Sequence, residues 1–173
     1  TLPMTERELI VAYVDSGKPI ISLRTGNHGF HAALPYKING QQVDWGADVL
    51  GGTFLGHHGH WQADSTLGAL VPEQKDHPIL IGVSDIWGNS DVYRTYEVGG
   101  SLPAGCTALV WGQPLLGRRR HDPPNPDLEP LPVAWSYASS FSSRAHACTA
   151  SRIALPRSVV SRQTSSASTS SHR

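Results

Sequence analysis

Between Thr5 and Arg24 the chain carries a helix, a stop and a short apolar strand in direct succession, an order that admits few architectures. Thr5-Glu6-Arg7-Glu8 has the pattern of a capping box, in which the Thr5 hydroxyl accepts the Glu8 amide and the Glu8 carboxylate returns to the Thr5 amide. Leu9, Ile10, Tyr13 and Val14 then keep one helix face apolar, and Gly17 stands where a left-handed residue ends a helix. Pro19-Ile20-Ile21-Ser22-Leu23-Arg24 is nearly continuous in its apolar character, as a strand covered by helices on both faces would be. The expected class is α/β.

In an open α/β sheet, ligands lie beyond the carboxyl ends of the strands. Immediately after this strand the chain reads Thr25-Gly26-Asn27-His28-Gly29-Phe30-His31. Its glycines suit a sharp strand-to-helix elbow that aims Asn27 or His28 into a crevice, although a glycine-rich turn with a solvated histidine has the same sequence. A second glycine- and histidine-rich stretch, Gly51-Gly52-Thr53-Phe54-Leu55-Gly56-His57-His58-Gly59-His60-Trp61, is poor material for a plain core strand or helix. It would expose polar rings and lose much backbone entropy on ordering. A site explains it, and so does a histidine-rich surface loop.

Two chemistries suit these histidines. Imidazole is the commonest zinc ligand, and a catalytic zinc takes about three protein ligands with one position open. On an extended chain His57 and His58 point to opposite faces while His58 and His60 share one, so a third ligand would come from His28, His31 or an aspartate. Acid–base work needs no metal: paired histidines, one of them oriented by Asp48, Asp64 or Asp85, can move protons on a hydroxyl or carbonyl. Asp44 and Asp48 suit a solvated helix face near residues 45–50. Cys106, entering a strand at residues 107–111, has the place of a buried small apolar residue and not of an elbow nucleophile. Neither a dinucleotide fingerprint nor a P-loop is present.

Further strands are expected at residues 67–71, 91–98 and 132–137, a cap from Asp76 at Pro78, and loops at residues 83–90 and 122–132. Charge divides the chain. Through Glu129 there are nine basic and fourteen acidic residues, and beyond it five arginines and no acid. The later residues are rich in Ser, Ala, Thr and Arg, too sparse in apolar side chains for a core face, and are expected to be disordered or poorly packed. The tail has no aromatic interleaving and no amphipathic period, which argues against nucleic acid or a membrane as its partner. Arg118-Arg119-Arg120 suits a solvated loop, and no run of about 18 apolar residues offers a membrane span.

Taken in order, Gly17-Lys18-Pro19-Ile20-Ile21-Ser22-Leu23-Arg24-Thr25, Asn27-His28-Gly29-Phe30, Val49-Leu50-Gly51-Gly52, Gly56-His57-His58-Gly59, Asp76-His77-Pro78-Ile79-Leu80, Asp85-Ile86-Trp87-Gly88, Asp91-Val92-Tyr93, Gly112-Gln113-Pro114-Leu115 and Pro132-Val133-Ala134-Trp135 resemble the trehalose-utilisation (ThuA-like) domain. The resemblance implies a flavodoxin-like parallel sheet with flanking helices, related to class I glutamine amidotransferases, with the N-terminal strands missing. It assigns residues 1–135 to that domain and leaves residues 136–173 as a Ser/Arg-rich tail, disordered or frameshifted. It further implies use of trehalose, other glycosides or keto-sugars, and no glutamine hydrolysis, since Asn27 or His28 stands where an amidotransferase has cysteine. The residues then expected to act are His28 and His58 in catalysis, Arg24, Asn27, Trp61 and Trp87 on the sugar, and His57, His58 and His60 on a divalent metal such as zinc. The partner is a small carbohydrate, with a homo-oligomer allowed. A non-catalytic sugar-binding or regulatory module is the alternative.

Overall fold

The computed structural model describes residues 3–28, 36–38, 40–97, 99–138 and 146–150. Its centre is a six-stranded sheet built from β1 (Ile20–Leu23), β5 (Ser65–Leu70), β6 (Ile86–Gly88), β8 (Cys106–Leu115), β9 (Leu131–Ala138) and β10 (His146–Ala150), in the order β1-β10-β9-β8-β5-β6. Only the β1–β10 pair is parallel; β10–β9, β9–β8, β8–β5 and β5–β6 are all antiparallel. Two smaller ladders, β2 (Tyr36–Ile38) with β3 (Gln41–Val43) and β4 (Gly56–His58) with β7 (Val92–Arg94), are antiparallel as well.

This overturns the expectation of a flavodoxin-like parallel sheet with flanking helices. Parallel neighbours need crossovers of a dozen residues or more, usually helical. Between β5 and β6 the chain has two short 3-10 turns instead, Pro72–Gln74 and Pro78–Leu80, each begun by a proline. Between β8 and β9 it has Pro123, Pro124, Pro126 and Pro130, which cannot sit in a helix interior. Among the described residues the one α-helix is α1, Met4–Asp15, and no helix is long and apolar enough to cross a membrane.

Several local expectations change too. The capping box does not form: α1 begins at Met4 after Pro3, with no side-chain cap. Gly17 does end the helix, at φ 69° with its amide on the Val14 carbonyl. The apolar face of α1 meets the core mainly through Val14 and the half-buried Val11, while Leu9 and Tyr13 lie exposed. β1 is not covered on both faces, because Ile21 and Leu23 are exposed at 79% and 60%. Asp44 and Asp48 are not idle: the Asp44 carboxylate accepts from the Ala47 amide at 2.7 Å and Asp48 accepts from the Asp44 amide at 2.7 Å, a reciprocal cap on the N-terminal end of the π-helical turn Trp45–Val49. The cap at Pro78 comes from His77, whose Nδ1 accepts the Ile79 amide, and not from Asp76.

The strand expected over residues 91–98 shortens to β7, and the expected loop before it contains β6. The strands at residues 107–111 and 132–137 are longer than expected, reaching ten and eight residues. The tail contributes β10, inserted between β9 and β1; its remainder, residues 139–145 and 151–173, lies outside the described residues. The main core lies on the β8–β9 pair, where Leu109, Val110, Leu131, Val133 and Ala134 meet Leu80, Ile86 and Val92. A second cluster joins Val14, Val43, Val49 and Leu50, and a third joins Trp135 and Tyr137 with Cys106.

Candidate functional site

Asp91 ends the turn between β6 and β7, and its carboxylate has no exposed surface. A buried carboxylate demands donors, and two residues from distant parts of the chain supply them. Arg24, just past β1, donates from Nη2 to Oδ1 at 2.8 Å and from Nη1 to the Asp91 carbonyl. His57, in the middle of β4, meets Oδ2 through Nδ1 at 2.6 Å. An ionised carboxylate only accepts, so Nδ1 carries a proton, and in the neutral ring the lone pair then belongs to Nε2. The His57 side chain is 36% exposed and the Arg24 side chain 10%.

Aromatic rings enclose this group. The β4–β7 ladder places His57 opposite Tyr93, with ring centroids 5.5 Å apart and an edge-on arrangement. Phe54 stands edge-on to both, at 5.5 Å from His57 and 4.6 Å from Tyr93. The Arg24 guanidinium carbon lies 3.7 Å from the Tyr93 centroid, a cation–π contact. On the open side Trp61, 63% exposed, lies 5.8 Å from His57 with its plane tilted by 33°. Buried charge, a directed imidazole and an exposed indole thus occur within one patch.

The turn after β1 is held beside this patch. Thr25 has φ 78°, which is strained for a β-branched residue, so the sharp elbow falls on Thr25 and not on Asn27 or His28. The adjoining 3-10 turn, Gly26–His28, is fixed by the Trp45 indole donating to the Gly26 carbonyl at 2.9 Å. A Cβ on Gly46 would lie 2.7 Å from the Asn27 carbonyl and 2.6 Å from the Thr53 Cα, so glycine lets the two turns approach. The stretches after β1 and around β4 are therefore joined through Asp91.

The expected residues divide. Arg24, His57 and Trp61 come together. Asn27 is buried in its turn. His28 closes that turn, but its side chain lies outside the described residues, as does His31. His58 points away from His57, as adjacent strand positions must, and its Nε2 meets the Glu129 carbonyl at 2.8 Å. His60 is 82% exposed, with Nδ1 3.6 Å from Asp64. Trp87 sits in β6, at the edge of the sheet, its indole nitrogen buried without a hydrogen-bond partner among the described residues.

His57 held at Nδ1 by a carboxylate has the outer-shell arrangement that zinc-binding histidines take. His57, His58 and His60 nonetheless do not fit one zinc as arranged, and among the described residues no group of three or more His, Cys, Asp or Glu could hold a metal. Of the aspartates expected to orient a histidine, Asp64 approaches only His60 and Asp48 closes a helical turn. Asp85 pairs with Arg120, whose hydrogen bond holds the carboxyl below its usual range. Asp91 is not assigned a role from the sequence because it stands where a strand is expected to begin, although Asp91-Val92-Tyr93 is among the motifs singled out there. Cys106, expected to be buried, is half-buried: Sγ donates to the Gly51 carbonyl at 3.4 Å, and desolvation pushes its thiol up to about 11. Compared with known protein families, curated proteins and solved structures, the chain matches none of them.

Proposed function

We propose that the chain is a ThuA-like protein of carbohydrate utilisation that handles a trehalose-type glycoside or keto-sugar at the patch around His57. The reading rests on one observation, the 2.6 Å contact between Nδ1 of His57 and the buried Asp91 carboxylate. That contact leaves Nε2 of a partly exposed imidazole to accept a proton, as a general base for a hydroxyl or a carbon acid requires. Trp61 supports a sugar in particular, because an exposed indole offers an apolar face to the C–H side of a pyranose. His57 takes the proton-handling role expected of His28 and His58. The ordered series of motifs that resembles the family supports the reading through its residues, not through its sheet.

The test is ligand-observed NMR with trehalose, a methyl glucoside and a 3-keto-glucoside, alongside chromatographic detection of product. Trp61→Ala is expected to weaken binding about tenfold, a usual scale for losing one aromatic contact. His57→Gln is expected to keep binding and lose turnover. Binding without turnover in the unaltered chain would favour a sugar-binding module, and no binding of any of the three would sink the carbohydrate reading.

A further inference from the structure

We infer that Arg24 is a positioning residue: through Asp91 it fixes which nitrogen of His57 carries the proton. The inference rests on the reading of His57 as the proton-handling group and explains how the fold sets it up. A carboxylate held only by an imidazole can rock, and the imidazole with it. Here Arg24 holds Asp91 at two points, the Oδ1 atom and the main-chain carbonyl, which fixes both rotation of the carboxylate and the backbone that carries it. Oδ2 is then the oxygen left for His57, at 2.6 Å.

The guanidinium carbon itself lies 3.7 Å from the centre of the Tyr93 ring, and that ring also stands edge-on to His57 at 5.5 Å. Arg24, Tyr93 and Asp91 thus form three sides of one frame around the imidazole. Arginine suits the place and lysine does not, because a planar fork can satisfy two acceptors and stack on a ring at once, whereas an ammonium is a point charge. At 10% exposure, with two acceptors already bound, the Arg24 side chain has little surface for a sugar. Its chemistry is directed at Asp91.

The frame also links distant parts of the fold. Arg24 follows β1, at one edge of the six-stranded sheet, whereas His57 and Tyr93 belong to the separate β4–β7 ladder. Seating β1 is therefore a condition for orienting His57. Nothing in this arrangement requires substrate, so it can be tested without one.

The experiment is long-range proton–nitrogen NMR of the imidazoles in the full chain at about pH 8.5, roughly two units above the ordinary imidazole value. His57→Gln identifies the resonance. In the unaltered chain His57 is expected almost wholly as the Nδ1–H tautomer. Arg24→Gln should shift the tautomer ratio toward Nε2–H by about tenfold, the effect of losing one charge-assisted hydrogen bond. Arg24→Lys, which keeps the charge and loses the fork, should fall between the two. A mixed tautomer in the unaltered chain overturns the inference, as does a ratio in Arg24→Gln equal to that of the unaltered chain. Should Arg24→Gln not fold, Arg24→Lys decides: an intermediate ratio supports the inference and an unchanged one overturns it. Failure of sugar binding leaves this result standing, so the two readings can fail separately.

Discussion

Asp91 is the residue whose loss the molecule tolerates least on these grounds. Asp91→Asn would leave Arg24 in a nearly enclosed place with no opposite charge and would set an amide N–H against one of two donors. Breaking a buried pair from one side costs about 3–5 kcal/mol. Urea unfolding should show a loss of that order together with release of His57, and a loss below about 1 kcal/mol would show that the pair is not truly sequestered. Cys106 gives a second residue-scale prediction. With its thiol raised to about 11 from an ordinary 9.0, the folded state prefers the protonated form. That stabilisation is fully present below pH 9 and is lost as pH rises toward 11. In a Cys148→Ser background, alkylation of Cys106 at pH 8 should run about two orders of magnitude slower than that of free cysteine. Labelling at the free rate would contradict its burial.

At the scale of elements, the sequence locates β1, β5, β7, β8 and β9, misjudges their ends, and misses β2, β3, β4, β6 and β10. Thr107 to Trp111 is legible as apolar, but Gly112, Gln113 and Pro114 hide the continuation of β8, since glycine and proline usually mark strand ends. Tertiary packing explains both exceptions. Gly112 is where β8 passes closest to its neighbours: an added Cβ would overlap Val133 Cγ1 and lie 2.8 Å from Thr66 Cγ2. Gly112→Ala should therefore cost about 1–3 kcal/mol, as overpacking does, despite the better strand propensity of alanine. A neutral or stabilising result in thermal unfolding would mean that those side chains give way. The Gln113 amide donates to the carbonyls of Pro114, Asn125 and Leu128, tying the proline-rich loop back onto β8. The expected helix start fails for a related reason: Pro3 opens the first turn from outside, and Thr5 lies within it.

For the molecule as a whole, the unexpected member is β10. It pairs with β9 on one side and β1 on the other, so among the described residues β1 meets the sheet through a strand from the tail. A chain ending at Ala138 should therefore lose hydrogen-exchange protection at Ile21 and Leu23 while β5, β8 and β9 keep theirs. The same truncation should loosen Arg24 from Asp91 and disturb the His57 tautomer, because the arginine reaches the carboxylate from the end of β1. Unchanged protection at β1 would show that α1 and the turn Trp45–Val49 seat it unaided.

By itself the sequence determined which segments are apolar enough to pair, that Cys106 is no elbow nucleophile, and that the stretches around Arg24 and His57 are chemically unlike their surroundings. Those are properties of neighbouring residues, set by glycine and proline conformations and by local polarity. Only the tertiary structure decided that the sheet is mainly antiparallel, that β10 belongs to it, and that Asp91, and not Asp48, Asp64 or Asp85, holds the histidine. Strand direction depends on which distant segments pair. A carboxylate 34 residues from His57 and 67 from Arg24 becomes their common partner only when burial leaves it no water to bind.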